Sequence, residues 1–102
     1  KTKTIVIPTI TGYTARKISR FRPSCPIIAI CTDVQIIKNL NLYFGVKPIL
    51  IDSLNTLDDV INEAKNISRK LLKVDSGDKI IITGTYPFES RKQTNFMLIE
   101  QL

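Results

Sequence analysis

The sequence predicts an α/β domain built on a mostly parallel sheet, and three observations support this. Short apolar runs alternate in regular order with amphipathic segments, the pattern of consecutive β-α-β units. Runs such as Ile27-Ile28-Ala29-Ile30-Cys31 hold no polar residue, as strands covered on both faces do. The length of 102 residues suits one domain and leaves no room for a second.

Each element has a local reason. Thr4–Pro8 is the first strand, closed by Pro8 and the turn over Thr9–Gly12. Thr14–Phe21 is a short helix that stops before Arg22-Pro23, because a residue preceding proline is pushed out of the helical region. Pro26–Cys31 is the second strand, and Asp33 is placed to cap a helix over Val34–Leu40, with Gly45 marking the exit from the next turn. Val46–Ile51 is the third strand, where Pro48 favours a sheet edge because it cannot donate to a ladder. Leu57, Val60, Ile61, Ala64, Ser68, Leu71 and Leu72 recur at helical spacing, the strongest periodic signal in the chain. Asn55 or Thr56 caps that helix, with Asp58 and Asp59 in its first turn and Arg69, Lys70 and Lys73 at its end, as the macrodipole favours. Asp75–Asp78 is a turn, Lys79–Thr83 a fourth strand and Asn95–Gln101 a fifth.

Right-handed crossovers carry the first three strands across the sheet in one direction. A fourth strand on the far side of the first gives the order 3-2-1-4-5. No helix lies between the last two strands, so the fifth runs antiparallel. The result is a three-layer α/β/α domain. Three helices are few for two faces of a five-stranded sheet, and the chain starts directly at a strand. A preceding segment is therefore expected to be missing. Ligands in open parallel sheets bind where the crossover direction reverses, beyond the carboxyl ends of the strands. Here the segments meeting at that point are Thr9–Thr14 and Gly84–Thr94. The first joins Gly12, three threonine hydroxyls and a helix start, which suits a phosphate. The same turn also reads as a plain cap, with Thr11 or Thr14 satisfying free backbone donors.

Composition removes several chemistries. Histidine is absent, so histidine general-base catalysis and most zinc sites are excluded. Cys25 and Cys31 read as plain thiols of a reducing compartment, and no metal site is expected. Neither a GxGxxG nor a GxxxxGK[ST] loop occurs, and no acidic pair follows the first strand. With no signal peptide and no apolar run long enough to span a bilayer, a cytoplasmic protein without membrane contact is expected. The net charge is +6, and Arg16, Lys17, Arg20 and Arg22 crowd one short segment. That cluster reads as a solvated helix face, or a contact to another part of a larger protein, ahead of a nucleic-acid face. The sequence lacks the interleaved aromatic and basic residues that single-strand binders use.

The run from Thr9 to Pro23, Thr-Ile-Thr-Gly-Tyr-Thr-Ala-Arg followed by a helix ending Ser-Arg-Phe-Arg-Pro, resembles the signature of the C-terminal domain of the pyruvate kinase family. Cys25–Ile30, Leu42–Pro48, Ser76–Gly84 and Thr94-Asn95 are similar to later family segments, in order and across almost all of the chain. The resemblance implies the same strand order. It also implies a phosphorylated effector held between Thr9, Thr11, Gly12, Tyr13 and Thr14 on one loop and Arg91, Lys92 and Thr94 on the other. Members of the family transfer phosphate from phosphoenolpyruvate to ADP with magnesium or manganese and usually potassium. That machinery lies in an N-terminal barrel and a lid domain. Residues 1–102 are therefore expected to be a regulatory fragment with no catalytic residue and no cofactor of its own, partnered by the catalytic barrel. A free-standing phosphometabolite-binding domain is the alternative, followed by a basic nucleic-acid binder.

The departures bear on the effector. Glu89 and Lys92 stand where the family usually has glycine, and Ile10 where some members activated by fructose 1,6-bisphosphate carry a basic residue. A monophosphate such as a sugar phosphate or AMP, or no effector at all, fits at least as well as a bisphosphate. The last strand is an edge without lysine, proline or a bulge to block pairing. Phe96, Leu98 and Ile99 are expected at an oligomer interface, since the family's tetramers join through this strand. A proline at Leu98 is expected to disrupt that pairing.

Overall fold

A computed structural model of the chain describes residues 2–53, 56–73, 75, 77–85 and 96–102. The apolar runs form β1 (Thr2–Pro8), β2 (Ile27–Cys31), β3 (Val46–Leu50), β4 (Lys79–Gly84) and β5 (Phe96–Gln101). The amphipathic segments form α1 (Tyr13–Ser19), α2 (Val34–Leu40) and α3 (Leu57–Leu71). The sheet order is β3-β2-β1-β4-β5, with β4 and β5 antiparallel and the other pairs parallel. This is the predicted architecture, with Pro48 on the edge strand.

The caps follow the sequence chemistry. Asp33 accepts from the Gln35 amide at 2.8 Å to start α2, and Thr56 accepts from the Asp59 amide at 3.1 Å to start α3. The first helix is shifted from the expected Thr14–Phe21. It begins at Tyr13, because Gly12 turns left-handed at φ 80°, and it stops at Ser19. The chain then closes with Phe21 and Arg22 amides on the Ile18 and Ser19 carbonyls, Arg22 reaching a φ of 46° before Pro23.

Two apolar clusters flank the sheet. Val6, Ile28, Ile30, Ile80 and Ile82 face Ala64 and Ile67 of α3. Ile7, Ile27, Ala29 and Cys31 face Ala15 of α1 and Leu40 of α2. Coverage is unequal. Phe96, Leu98 and Leu102 pack on the α3 side, whereas Met97 and Ile99 point the other way and are 65% and 61% exposed. Their strand neighbour across the ladder, Ile81, is half-buried on that face. α1 and α2 lie over β1–β3 and leave the β4–β5 end of this face without a helix among the described residues. A Lys65–Glu100 ion pair at 3.2 Å ties α3 to β5 on the covered side.

The polar groups of β5 alternate, and their sense corrects one expectation. The Leu102 amide donates to Asp78 and its carbonyl accepts from Gly77, while the Phe96 carbonyl accepts from the Thr83 hydroxyl. Even-numbered residues of the strand thus turn their amides toward β4, and Met97, Ile99 and Gln101 turn theirs to the free edge. A proline at Leu98 would break the ladder inside the sheet. The position that blocks edge pairing is Ile99.

Cys31 closes β2 beneath α1 and α2. Burial, with Asp33 adding, pushes its thiol up to about 11 from an ordinary value of 9.0. The unfolded chain therefore sheds this proton at a lower pH than the folded chain does. The sign follows: between pH 9 and pH 11 the folded state progressively loses stability relative to the unfolded one. Denaturant titrations at pH 8 and pH 10.5 are expected to show a larger loss in the wild type than in Cys31→Ala. Equal losses would contradict the buried-thiol reading.

Candidate ligand loop at the switch point

β1 ends on Pro8, and the Thr9 amide still pairs with the Ile30 carbonyl at 2.9 Å, so the following loop departs from a rigid position. Thr9 is buried, and its hydroxyl oxygen accepts from the Gly12 amide at 2.7 Å. Thr11 is half-buried and accepts from the Tyr13 amide at 3.3 Å. The Arg16 guanidinium reaches back to the Thr11 carbonyl at 2.9 Å. The loop is held by its own hydroxyls and by one arginine.

Gly12 is required twice over. Its φ of 80° disfavours an L side chain, and an added Cβ would stand 3.0 Å from Arg16 Nη1 and 3.3 Å from both Ile36 and Leu40. Gly84 fixes the other side of the switch point, because a Cβ there would lie 3.0 Å from the Pro8 carbonyl oxygen. The carboxyl ends of β1 and β4 therefore sit backbone against backbone, and the two expected loops leave from adjacent points.

The residues expected at a site fall into three groups. Thr9, Thr11, Gly12, Tyr13 and Thr14 come together in this loop, with Thr14 buried and Tyr13 44% exposed. Arg91, Lys92 and Thr94, with Glu89, lie outside the described residues. Phe96, Leu98 and Ile99 lie on β5, the first two against the core and the last facing outward. The Thr9 and Thr11 hydroxyls accept from the Gly12 and Tyr13 amides at the start of α1, and the sequence had marked Thr11 but not Thr9 for such a role. Nor had it placed Arg16 in the loop, although a position one helical turn beyond Gly12 allows that reach. Among the described residues no cluster of three or more His, Cys, Asp or Glu side chains could hold a metal ion, and no helix is long and apolar enough to cross a membrane.

An open sheet of order 3-2-1-4-5 defines the class: an α/β domain whose strand order reverses beside β1. The family model of the pyruvate kinase α/β domain matches residues 1–100. The chain belongs to the pyruvate kinase C-terminal domain family. It is 35% identical over 99 residues to the pyruvate kinase of Sporosarcina psychrophila, covering 97% of this chain and 17% of that protein. It is likewise 35% identical over 101 residues to that of Clostridium perfringens, covering 99% of this chain and 21% of the relative. A crystal structure of a pyruvate kinase from Cryptosporidium parvum superposes with a TM-score of 0.83 at 30% identity, covering 98% of this chain and 19% of the other. The chain thus spans 17% and 21% of the length of these two curated relatives.

Gly12→Ala is expected to destabilise the domain by at least the ~1–2 kcal/mol of a left-handed non-glycine residue, with crowding against Arg16 adding to it. Denaturant unfolding checks this. A loss of only a few tenths of a kcal/mol would mean the loop relaxes freely and is not held as described.

Proposed function

We propose that this chain is the effector-binding and assembly module of a pyruvate kinase, working through ligand occupancy and subunit contact and not through catalysis. The observation that carries the reading is the Thr9–Thr14 loop at the carboxyl end of β1, against the end of β4, in a member of this family. The Tyr13 amide is held at 3.3 Å by a half-buried hydroxyl, a long bond that a phosphate oxygen can take over. The Thr11 hydroxyl then turns to donate to the same oxygen. Arg91, Lys92 and Thr94 supply the opposite side, and Glu89 beside them disfavours a second phosphate. A monophosphate such as a sugar phosphate or AMP is the effector class.

Phosphoryl transfer, with its magnesium or manganese and its potassium, belongs on this reading to a barrel elsewhere in a longer cytoplasmic polypeptide. The uncovered β4–β5 face, with Met97 and Ile99 outward, is where helices of that polypeptide pack. Calorimetric titration of the chain with AMP, ribose 5-phosphate and fructose 1,6-bisphosphate tests the site. A monophosphate is expected to bind, and Thr11→Glu, which places a carboxylate in the anion position, to abolish the binding. Absence of binding by all three, or binding unchanged by Thr11→Glu, would overturn the assignment.

The assembly half rests on the free edge of β5. Two copies pairing antiparallel across a two-fold axis would use the outward amides of Met97, Ile99 and Gln101. Ile99→Pro removes the middle donor and leaves the β4 ladder intact. Light scattering is expected to show a dimer for the wild type and a monomer for Ile99→Pro. Monomers in both cases at high concentration would rule out assembly through this edge.

A further inference from the structure

Charge is distributed unevenly over the fold. No acidic residue precedes Asp33, and between Tyr13 and Leu40 five cations, Arg16, Lys17, Arg20, Arg22 and Lys38, meet that single carboxylate. The ion pairs among the described residues, Lys3–Asp78 and Lys65–Glu100, lie elsewhere. Arg16 is occupied by the Thr11 carbonyl. Lys17, Arg20 and Arg22 are exposed, and among the described residues no carboxylate within ion-pair distance neutralises them.

The structure adds what the sequence lacked. The Ser19 hydroxyl donates to the Phe44 carbonyl at 2.7 Å and draws the turn after α2 against the end of α1. That contact brings the Phe44 ring to 4.4 Å from the Arg22 guanidinium, while Lys17 lies 5.9 Å from the Tyr13 ring. Phe21, beside Arg20 and Arg22, is 79% exposed, and Phe44 is 54% exposed. Two cation–ring pairs and the exposed Phe21 thus belong to the surface of α1 and its C-terminal turn, a grouping the linear sequence does not show. A hollow of about 180 Å³ opens in it, lined by Tyr13, Arg16, Lys17 and Arg20.

We propose that the outward side of α1 and its C-terminal turn bind single-stranded nucleic acid. The cations take backbone phosphates, and Phe21 and Phe44 offer faces on which bases stack. This reading is preferred over an acidic protein partner because two of the rings lie beside their own cations. They do not gather into the apolar centre that a protein hot spot needs. The proposal borders the effector loop at Tyr13 but does not use the threonine hydroxyls proposed to hold the effector.

The test is fluorescence anisotropy of the chain with a labelled single-stranded RNA 20-mer across a salt series, with the matching duplex and poly-glutamate as competitors. Single strands are expected to bind more tightly than the duplex, and poly-glutamate to compete poorly. The double variant Lys17→Gln/Arg20→Gln is expected to reduce the slope of log K against log salt by about 1.4, at ~0.7 for each phosphate no longer neutralised. Phe21→Ala is expected to weaken binding about tenfold with the slope unchanged. Lys17, Arg20, Phe21 and Phe44 are all exposed, and circular dichroism checks that each variant keeps the fold. No binding at 50 mM salt would overturn the proposal. So would an unaltered affinity in both Phe21→Ala and Phe44→Ala, which would mean bare ion exchange. Equal displacement by poly-glutamate would overturn it in favour of an acidic polypeptide.

Discussion

Everything else in this domain depends on the burial of β1 on both faces. Val6 faces α3 and Ile7 faces α1 and α2, and neither retains any exposed surface. A strand so placed must pair on both edges, since an unpaired buried amide or carbonyl costs about as much as a lost hydrogen bond. β2 and β4 supply those partners. The chain reaches β2 through one helix and β4 only after two more helices and β3. That order of filling makes the crossover direction reverse beside β1. The reversal beyond its carboxyl end, where the effector loop is proposed, follows from the burial of two apolar side chains.

The loop at that position is built from inside outward. Thr9 still pairs with Ile30 and spends its hydroxyl on Gly12, so it belongs to the scaffold as much as to the site. Arg16 anchors the Thr11 carbonyl from the next helical turn. Both hold the loop in one shape, a pre-ordering that the proposed binding would draw on. The cap and the ligand loop, which compete as readings of the sequence, are compatible in the fold. Thr9 and Thr11 both hold amides at the start of α1, and the longer of the two bonds, Thr11 to Tyr13 at 3.3 Å, is the one the proposed ligand would take over.

The fold was legible because its signals are local or periodic. Unbroken apolar runs marked the strands, Asp33 and the pair Asn55-Thr56 announced helix starts, and Pro48 indicated an edge. What stayed hidden depends on geometry across the chain. The start of α1 one residue early follows from the left-handed turn at Gly12, which leaves a glycine in the sequence but no sign of its φ. The orientation of amides along β5 decides whether Leu98 or Ile99 guards the edge, and alternation of side chains says nothing about it. The meeting of Arg22 with Phe44 requires α1 and the turn after α2 to be adjacent, and a Ser19 hydroxyl brings that about. Arg91, Lys92 and Thr94 rest on family resemblance alone.

The two sides of the sheet carry different burdens. α3 bears acids at its start and bases at its end, and its buried stripe of Val60, Ala64, Ile67 and Ser68 meets the sheet from β3 to β5. Such a face is self-sufficient. The opposite side has two short helices of seven residues each, too short to be stable without tertiary packing, and they cover only the β1–β3 end. Its remaining surface is apolar at Met97 and Ile99 and cationic around α1. An apolar sheet face and an uncompensated cationic face both lower their free energy by meeting something else. Among the described residues, that half carries the apolar and cationic surface on which the proposed contacts rest, and the α3 half holds the longest helix and its core.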